Sequence, residues 1–400
     1  MASVTFWGLI ASPYQLKMQS IADFAEVTWR RLPEQGSPLH TLDMLRRLRR
    51  DKASHAVQRF PSYVQGMDEY PAVPFYTLDG QHFYYDSTGL ALHLDSLGTS
   101  APPLLPEPGA EQFLCYLIDE AFDEFGLYMV HHNRWATSAS TNIMGEMTAR
   151  EMAPWLPAPL RRVIARRLAR RQSRRCPYLF SVAPPDFDAG VASDITPPMR
   201  PGFPPTHELL DTAWRRYLAA MEHCLAEQPF LLGEQFTLAD ASAYGQLSMN
   251  LVDGRAAEIL QELAPITYDW LCMIRDGGHR GSTGELRASK RLLPLLECIA
   301  DTFIPLMQQN EVAYRTARAQ GQRQFNEQAF DTGQALYDGE LMGHPFRSVA
   351  KSFQVVTWRE LCARWRALEP GTRQQLKALW PALDDDLFSI KSASPMTDAP

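Results

Sequence analysis

The segment GTSAPPLLPEPGA, Gly98 to Ala110, carries four prolines and divides the chain into two kinds of pattern. Proline fixes φ and removes an N–H donor, so such a run reads as a linker. Before it, strand and helix signals alternate. VTFWGLI is an apolar strand, residues 14–26 are helical, and EVTWRRL reads as a second strand. TLDMLRRLRRDKASHAVQRF holds a helix. VPFYTLDGQHFYYD reads as two strands joined at Leu78-Asp79-Gly80, an Asp-Gly hairpin signal. STGLALHLDSL starts a helix at Ser87. The order β-α-β-α-β-β-α predicts a small α/β domain over residues 1–98.

After the linker almost every signal is helical. EQFLCYLIDEAFDEFGLYMVHHNRW is one long amphipathic segment, and a helix is expected from about Glu208 to Glu227. Between them FSVAPPDFDAGVASDITPPMRPGFPP holds seven prolines and reads as a loop. Thr237-Leu238-Ala239-Asp240 fits a capping box, with an acid three residues after a Thr cap. This motif nucleates a buried helix and does no chemistry. The expected helical domain spans 106–280, and a mostly helical extension follows over 281–400. Pro294 and Pro305 should split its first helical stretch. QRQFNEQAFDTGQALYDGELMGHPF has a weak hairpin pattern, and WRELCARWRAL and TRQQLKALW are short amphipathic helices.

Composition narrows the function classes. Hydrophobic residues at 45% and charged residues at 21% describe an ordinary globular chain. No apolar run reaches the length of a membrane span. No basic residue precedes Lys17, so TFWGLIAS lacks the charged start of a secretory signal. The six cysteines are far apart and show no metal-ligand spacing. Together these predict a cytoplasmic protein with no membrane partner and no metal. The net charge of −7 argues against nucleic acid. Eight arginines nevertheless crowd into RRVIARRLARRQSRR, Arg161 to Arg175. They read as a solvated helix face paired with acids elsewhere.

Ser12 stands where the first strand turns into the first helix. Ser at the N-cap and Pro13 at the first helical position are favoured helix-start residues. That reading leaves open whether the hydroxyl also meets a substrate. Three stretches then occur in one order: Ala11-Ser12-Pro13-Tyr14, AVPFYTLDGQHFYYDSTGLALHLD, and PFLLGEQFTLADASAYGQL. In this order and spacing they resemble the glutathione S-transferase family, over about residues 4–275. DEAFDEFGLYMVHHNRWA and RRLARRQSRR look like its bacterial-type members with longer helical domains.

The resemblance implies an α/β thioredoxin-like N-terminal domain, an all-α glutathione transferase C-terminal domain and a homodimer. It implies glutathione as cosubstrate, and a role in detoxification. Val73-Pro74 would be the family's cis-proline turn, presenting the Val73 backbone to the cysteinyl part of glutathione. Ser87 would hold the γ-glutamyl carboxylate at a helix N-terminus, and Asp86 would help place the ammonium. Ser12 would donate to the glutathione sulfur and stabilise its thiolate. Tyr14, Tyr116, Tyr128, His131 and Trp135 become candidates for the wall of an apolar electrophile pocket. Addition to an electrophile, dehalogenation, ether cleavage and isomerisation are all open on such a site. The segment Pro33 to Ala72 is longer and more Arg-rich than in short members, with His40, Arg46 and Arg47 as candidates for the glycyl carboxylate. A second class also stays open: a non-catalytic transferase-like scaffold that uses the extension and the Arg-rich helix as partner surface.

Overall fold

A computed structural model describes residues 3–61, 74–99, 102–152 and 157–390. In β1 (Ser3–Trp7), Val4 and Phe6 alternate inward, as a half-buried strand requires. The chain turns at Ser12 into α1 (Pro13–Phe24), which buries Met18, Ile21 and Phe24. There follow β2 (Thr28–Leu32), α2 (Pro38–Ala53), β3 (Gln58–Arg59), β4 (Phe75–Thr77), β5 (Tyr84–Tyr85) and α3 (Ser87–Ser96). The sheet order is β2-β1-β4-β5-β3. β4 runs antiparallel to β1 and to β5, and β3 runs parallel to β5. The two-residue strand β3 is an addition to the expected order, since so short a strand shows no alternation to read.

Among the described residues the remainder is mostly helical, with one hairpin and a long loop between Arg175 and His207. One continuous helical rod covers α4 (Ala110–Ala121), a π segment at Phe122–Gly126, α5 (Leu127–His132) and a second π segment at Asn133–Thr137. It is followed by α6 (Met144–Glu151), α7 (Ala158–Arg175), α8 (His207–Leu225), α9 (Leu238–Leu247), α10 (Gly254–Leu263) and α11 (Pro265–Arg275). The capping box at the head of α9 is formed: the Asp240 carboxylate accepts from the Thr237 backbone N–H at 2.9 Å. Burial pushes Asp240 up to about 6, against the hydrogen bonds from Leu231 and Thr237. The extension holds α12 (Leu293–Asp301), α13 (Phe303–Ala319), α14 (Glu327–Asp331), the hairpin β6 (Leu336–Leu341) and β7 (His344–Val349), α15 (Ser352–Ala367) and α16 (Pro370–Leu379). The helical stretch breaks at Thr302, between Pro294 and Pro305, and the hairpin lies where its pattern is read. Among the described residues no helix is long and apolar enough to cross a membrane.

One core runs through all three regions, from Phe6 and Met18 through Leu117 and Trp214 to Trp358, Trp365 and Phe388. The opposite face of the sheet packs Leu32, Phe75, Phe83 and Tyr85 against Met44 and Leu48 of α2. Helix α1 meets α9 at Gly245. A Cβ there would lie 2.6 Å from Lys17 Cβ and 2.8 Å from the Pro13 carbonyl oxygen. Since that neighbour is backbone, it cannot swing aside. Gly245→Ala should therefore destabilise the fold by about 1–3 kcal/mol. Denaturant unfolding checks this, and an unchanged midpoint would mean that the two helices separate without cost.

Candidate functional site at the sheet edge

The strand register gathers the site residues. Trp7 pairs with Phe75, so Gly8 and Pro74 leave the sheet side by side. Tyr84 pairs with Tyr76 on the antiparallel neighbour, so Asp86 and Ser87 emerge at that same end. Arg59 pairs with Tyr85, and Phe60 continues in the same direction. Ser12, Pro74, Asp86, Ser87 and Arg59 thus share one end of the sheet. Val73 lies outside the described residues. Cis peptide bonds are present at Leu32–Pro33 and Phe60–Pro61.

Ser12 occupies the N-cap position in extended conformation, with Pro13 after it, but its side chain makes no capping hydrogen bond. Its half-buried hydroxyl has no hydrogen-bond partner among the described residues. The loop before it is braced from the helical side. Ile10 N–H donates to both Glu151 carboxylate oxygens at 3.2 Å, and Arg134 donates to the Ala11 carbonyl at 3.2 Å. Arg134 is itself held by the buried Asp253 carboxylate, both oxygens at 2.9 Å. Beside the loop, both amide atoms of the buried Gln15 lack partners. A Cβ on Gly8 would lie 1.8 Å from Gln15 Oε1, so only glycine lets that amide lie against the strand end.

Asp86 has a left-handed backbone, φ 77°, which Asp tolerates better than most residues. It caps α3 by accepting from Thr88 N–H at 3.0 Å, and its second oxygen accepts from Arg59 Nε. Arg59 reaches on to the extension, donating to Glu360 at 2.7 and 3.1 Å. Burial opposes the Arg59 charge, but Asp86 and Glu360 outweigh it and raise its pKa. Ser87 is buried, and its hydroxyl has no partner among the described residues.

Behind this edge lies a buried ionic cluster. Lys17, 1% exposed, donates to Thr88 Oγ1 at 3.0 Å, Asp119 at 2.6 Å and Asp123 at 2.7 Å. Asp119 also accepts from Thr88 and Ser242. Burial opposes the Lys17 charge, yet the two carboxylates prevail and raise its pKa. Burial pushes Asp123 up to about 7, with Lys17 pulling the other way. It also lifts Glu124 to about 7, partly offset by Gln354 and Lys351. Glu120 is pushed well up by burial and by Asp119 and Glu124.

The five pocket candidates meet four different sets of partners rather than lining one wall. Tyr14 donates to the Asp123 carbonyl at 2.7 Å. Tyr128 stacks on Phe180 and accepts from Lys351 at 2.6 Å and Gln354 at 2.9 Å, both from the extension. Tyr116 lies under the Arg364 guanidinium, 3.5 Å from its ring centroid. His131 and Trp135 sit together near the end of α7, with Cys176 Sγ 3.9 Å from His131 Nδ1. Burial and the Arg175 charge lower the His131 pKa to about 3, so that ring is neutral. The arginine stripe of α7 is paired in part: Arg166 and Arg170 with Asp194, and Arg175 with Glu327.

The stretch from α8 into α11, whose α9 packs on α1, can be compared with known proteins. Residues 204–271, holding α8 to α11 and the capping box, match the family model of the glutathione S-transferase C-terminal domain. This stretch is similar to the C-terminal domain of the glutathione S-transferases. Two solved structures are similar at low identity. A glutathione S-transferase of Ceriporiopsis subvermispora, in complex with glutathione, is 15% identical, with a TM-score of 0.39 over 68% of this chain and 97% of that one. A glutathione S-transferase of Xanthobacter autotrophicus is 17% identical, with a TM-score of 0.33 over 74% of this chain and 98% of that one. No curated protein is significantly similar in sequence.

On the helical rod that begins with α4, the sequence reading misses Asp119, Glu120, Asp123 and Glu124. A signal was present: four acids among apolar residues on one helix, and Lys17 one turn from Pro13 and Ile21 on the buried face of α1. It also misses Arg59, which lies just ahead of the segment outside the described residues. Among the described residues, no group of three His, Cys, Asp or Glu is placed to hold a metal.

Proposed function

We propose that the protein binds glutathione at the end of the sheet and activates its thiol through Ser12 for transfer to a small apolar electrophile. The observation that carries this reading is the Ser12 hydroxyl: it sits at a helix start, half-buried, and is not used as a cap. A free thiol has a pKa of ~8.5, and lowering it by two units takes ~2.7 kcal/mol. A hydrogen bond to the thiolate supplies ~1.5–3 kcal/mol. The N-terminus of α1 adds ~0.3–1 kcal/mol. Together these suffice without a general base. Ser87, at the start of α3 with a free hydroxyl, is the partner for the γ-glutamyl carboxylate, and Pro74 and Val73 border the cysteinyl part. The electrophile, and assembly as a homodimer, follow from the same family resemblance.

One observation favours the scaffold reading. The Asp86 carboxylate is occupied by Thr88 and Arg59, and Arg59 is tied to the extension through Glu360. Calorimetric titration with reduced glutathione separates the two. Wild type should bind, Ser87→Ala should bind about tenfold more weakly or worse, and Ser12→Ala should bind without the ultraviolet absorbance of a thiolate at neutral pH. Ser12→Ala should leave thermal stability unchanged, because no cap is lost. Absence of binding by wild type would make the scaffold the better description.

A further inference from the structure

Helix α7 carries eight arginines and no acid over Ala158–Arg175, in a chain whose net charge is −7. Its inner face packs on α6: a Cβ on Gly145 would lie 2.6 Å from the Ala165 carbonyl oxygen and 3.6 Å from Ala169 Cβ. Ala165 and Ser173 are buried on that face. At about 3.6 residues per turn, Leu160, Val163, Arg167, Arg171 and Arg174 fall on the opposite face. All five are exposed, Leu160 by 49% and Val163 by 64%. The arginines that pair with acids, Arg166, Arg170 and Arg175, flank this face. Arg167, Arg171 and Arg174 have no acidic partner among the described residues.

Two properties thus meet on one outward face. Its N-terminal end offers two aliphatic side chains to solvent, and the rest offers three uncommitted guanidinium groups. Guanidinium forks match phosphate oxygens in pairs, so charge alone would admit any array of phosphates, nucleic acid included. The aliphatic pair decides between them. A nucleic-acid duplex presents its phosphate backbone and leaves Leu160 and Val163 without an apolar partner. A bilayer surface takes the guanidiniums at its headgroups and the aliphatic side chains at the acyl boundary. We infer that the outer face of α7 docks on a bilayer surface rich in anionic phospholipid. Among the described residues no helix is built to span a membrane, and contact with its surface requires none. The acidic remainder of the chain is repelled by the same surface, which turns α7 toward it. The inference does not depend on glutathione binding or on Ser12.

The test is co-sedimentation of the full chain with vesicles of phosphatidylcholine alone and with vesicles that also contain phosphatidylglycerol. Wild type should bind the second kind at low salt, and far more weakly at high salt, where screening shortens the reach of charge. It should not bind the first kind. Each arginine near an anionic surface is worth about a fivefold change in affinity, so Arg167→Gln/Arg171→Gln/Arg174→Gln should bind about a hundredfold more weakly. Leu160→Ser/Val163→Ser should bind at least about tenfold more weakly, through loss of the aliphatic contact. All five side chains are exposed, so both variants should fold, and thermal unfolding checks that they do. Any of four results overturns the inference: no binding to the anionic vesicles at low salt, equal binding to both kinds, binding that the arginine triple variant keeps, or binding that the aliphatic double variant keeps. The last, with a DNA duplex bound at the same salt, would assign the arginines to nucleic acid.

Discussion

Lys17→Met should destabilise the protein by about 3–5 kcal/mol, the usual loss when one partner of a buried ion pair is removed. Methionine keeps most of the volume against α9, so the loss reports charge and not a cavity. The ammonium makes three hydrogen bonds, to Thr88, Asp119 and Asp123. Without it, two buried carboxylates face each other with no cation between them. The loss should shrink in the double variant Lys17→Met/Asp123→Asn, because one of the stranded charges is then gone. Guanidinium unfolding of wild type, both single variants and the double variant closes that cycle. A Lys17→Met loss under about 1 kcal/mol would mean that the cluster is hydrated and that Lys17 is not its keystone. The cluster joins α1, α3, α4 and α9, so it also fixes how the sheet edge bearing Ser12 and Ser87 meets the helices. Weakened glutathione binding in Lys17→Met, beyond what the stability loss explains, would show this positioning directly.

Local features of the fold are legible in the sequence, and contacts between distant segments are not. The turn at Ala11-Ser12-Pro13, the Asp-Gly connection at Asp79 and the Thr237–Asp240 box each lie within a few residues, and each is formed as read. Their physics is short-range: caps, fixed φ, hairpin reversal. Lys17 and Asp119 are separated by about a hundred positions, and no local pattern says that they will meet. The same holds for Arg59 and Glu360, which lie about three hundred positions apart. The pocket candidates show the limit most clearly. Tyr116, Tyr128, His131 and Trp135 share one helical rod, but its residues point around the axis, and the rod is surrounded on several sides. Tyr128 therefore meets Lys351 and Gln354, Tyr116 meets Arg364, and His131 meets Cys176. Spacing along a helix gives the face a residue occupies; what covers that face is a tertiary fact.

Glu124 should make the protein less stable as pH rises from about 4 to about 7. In the unfolded chain its carboxyl ionises near ~4.3. In the fold, burial holds it protonated up to about 7, with Gln354 and Lys351 only partly offsetting. The folded state therefore binds more protons across that window, and the slope of unfolding free energy against pH is negative. The stabilisation is fully present below the unfolded pKa and is lost as pH passes the folded one. Buried histidines oppose this trend in wild type. His131 is lowered to about 3 and His207 to about 4, so below about 6.5 their protonation favours the unfolded chain. The contribution of Glu124 is isolated by comparison with Glu124→Gln, in which the histidine terms cancel. Glutamine is nearly isosteric with the protonated acid and removes its titration. Relative to wild type, the variant should gain about 1.4 kcal/mol per pH unit between pH 5 and 7, and nothing further above about pH 8. Unfolding curves at pH 5, 6, 7 and 8 measure this directly. A constant difference at all four values would place Glu124 in contact with water and its carboxyl in the ordinary range. A gain that follows the window would confirm a carboxyl kept neutral beside Tyr128, under the cover of α15.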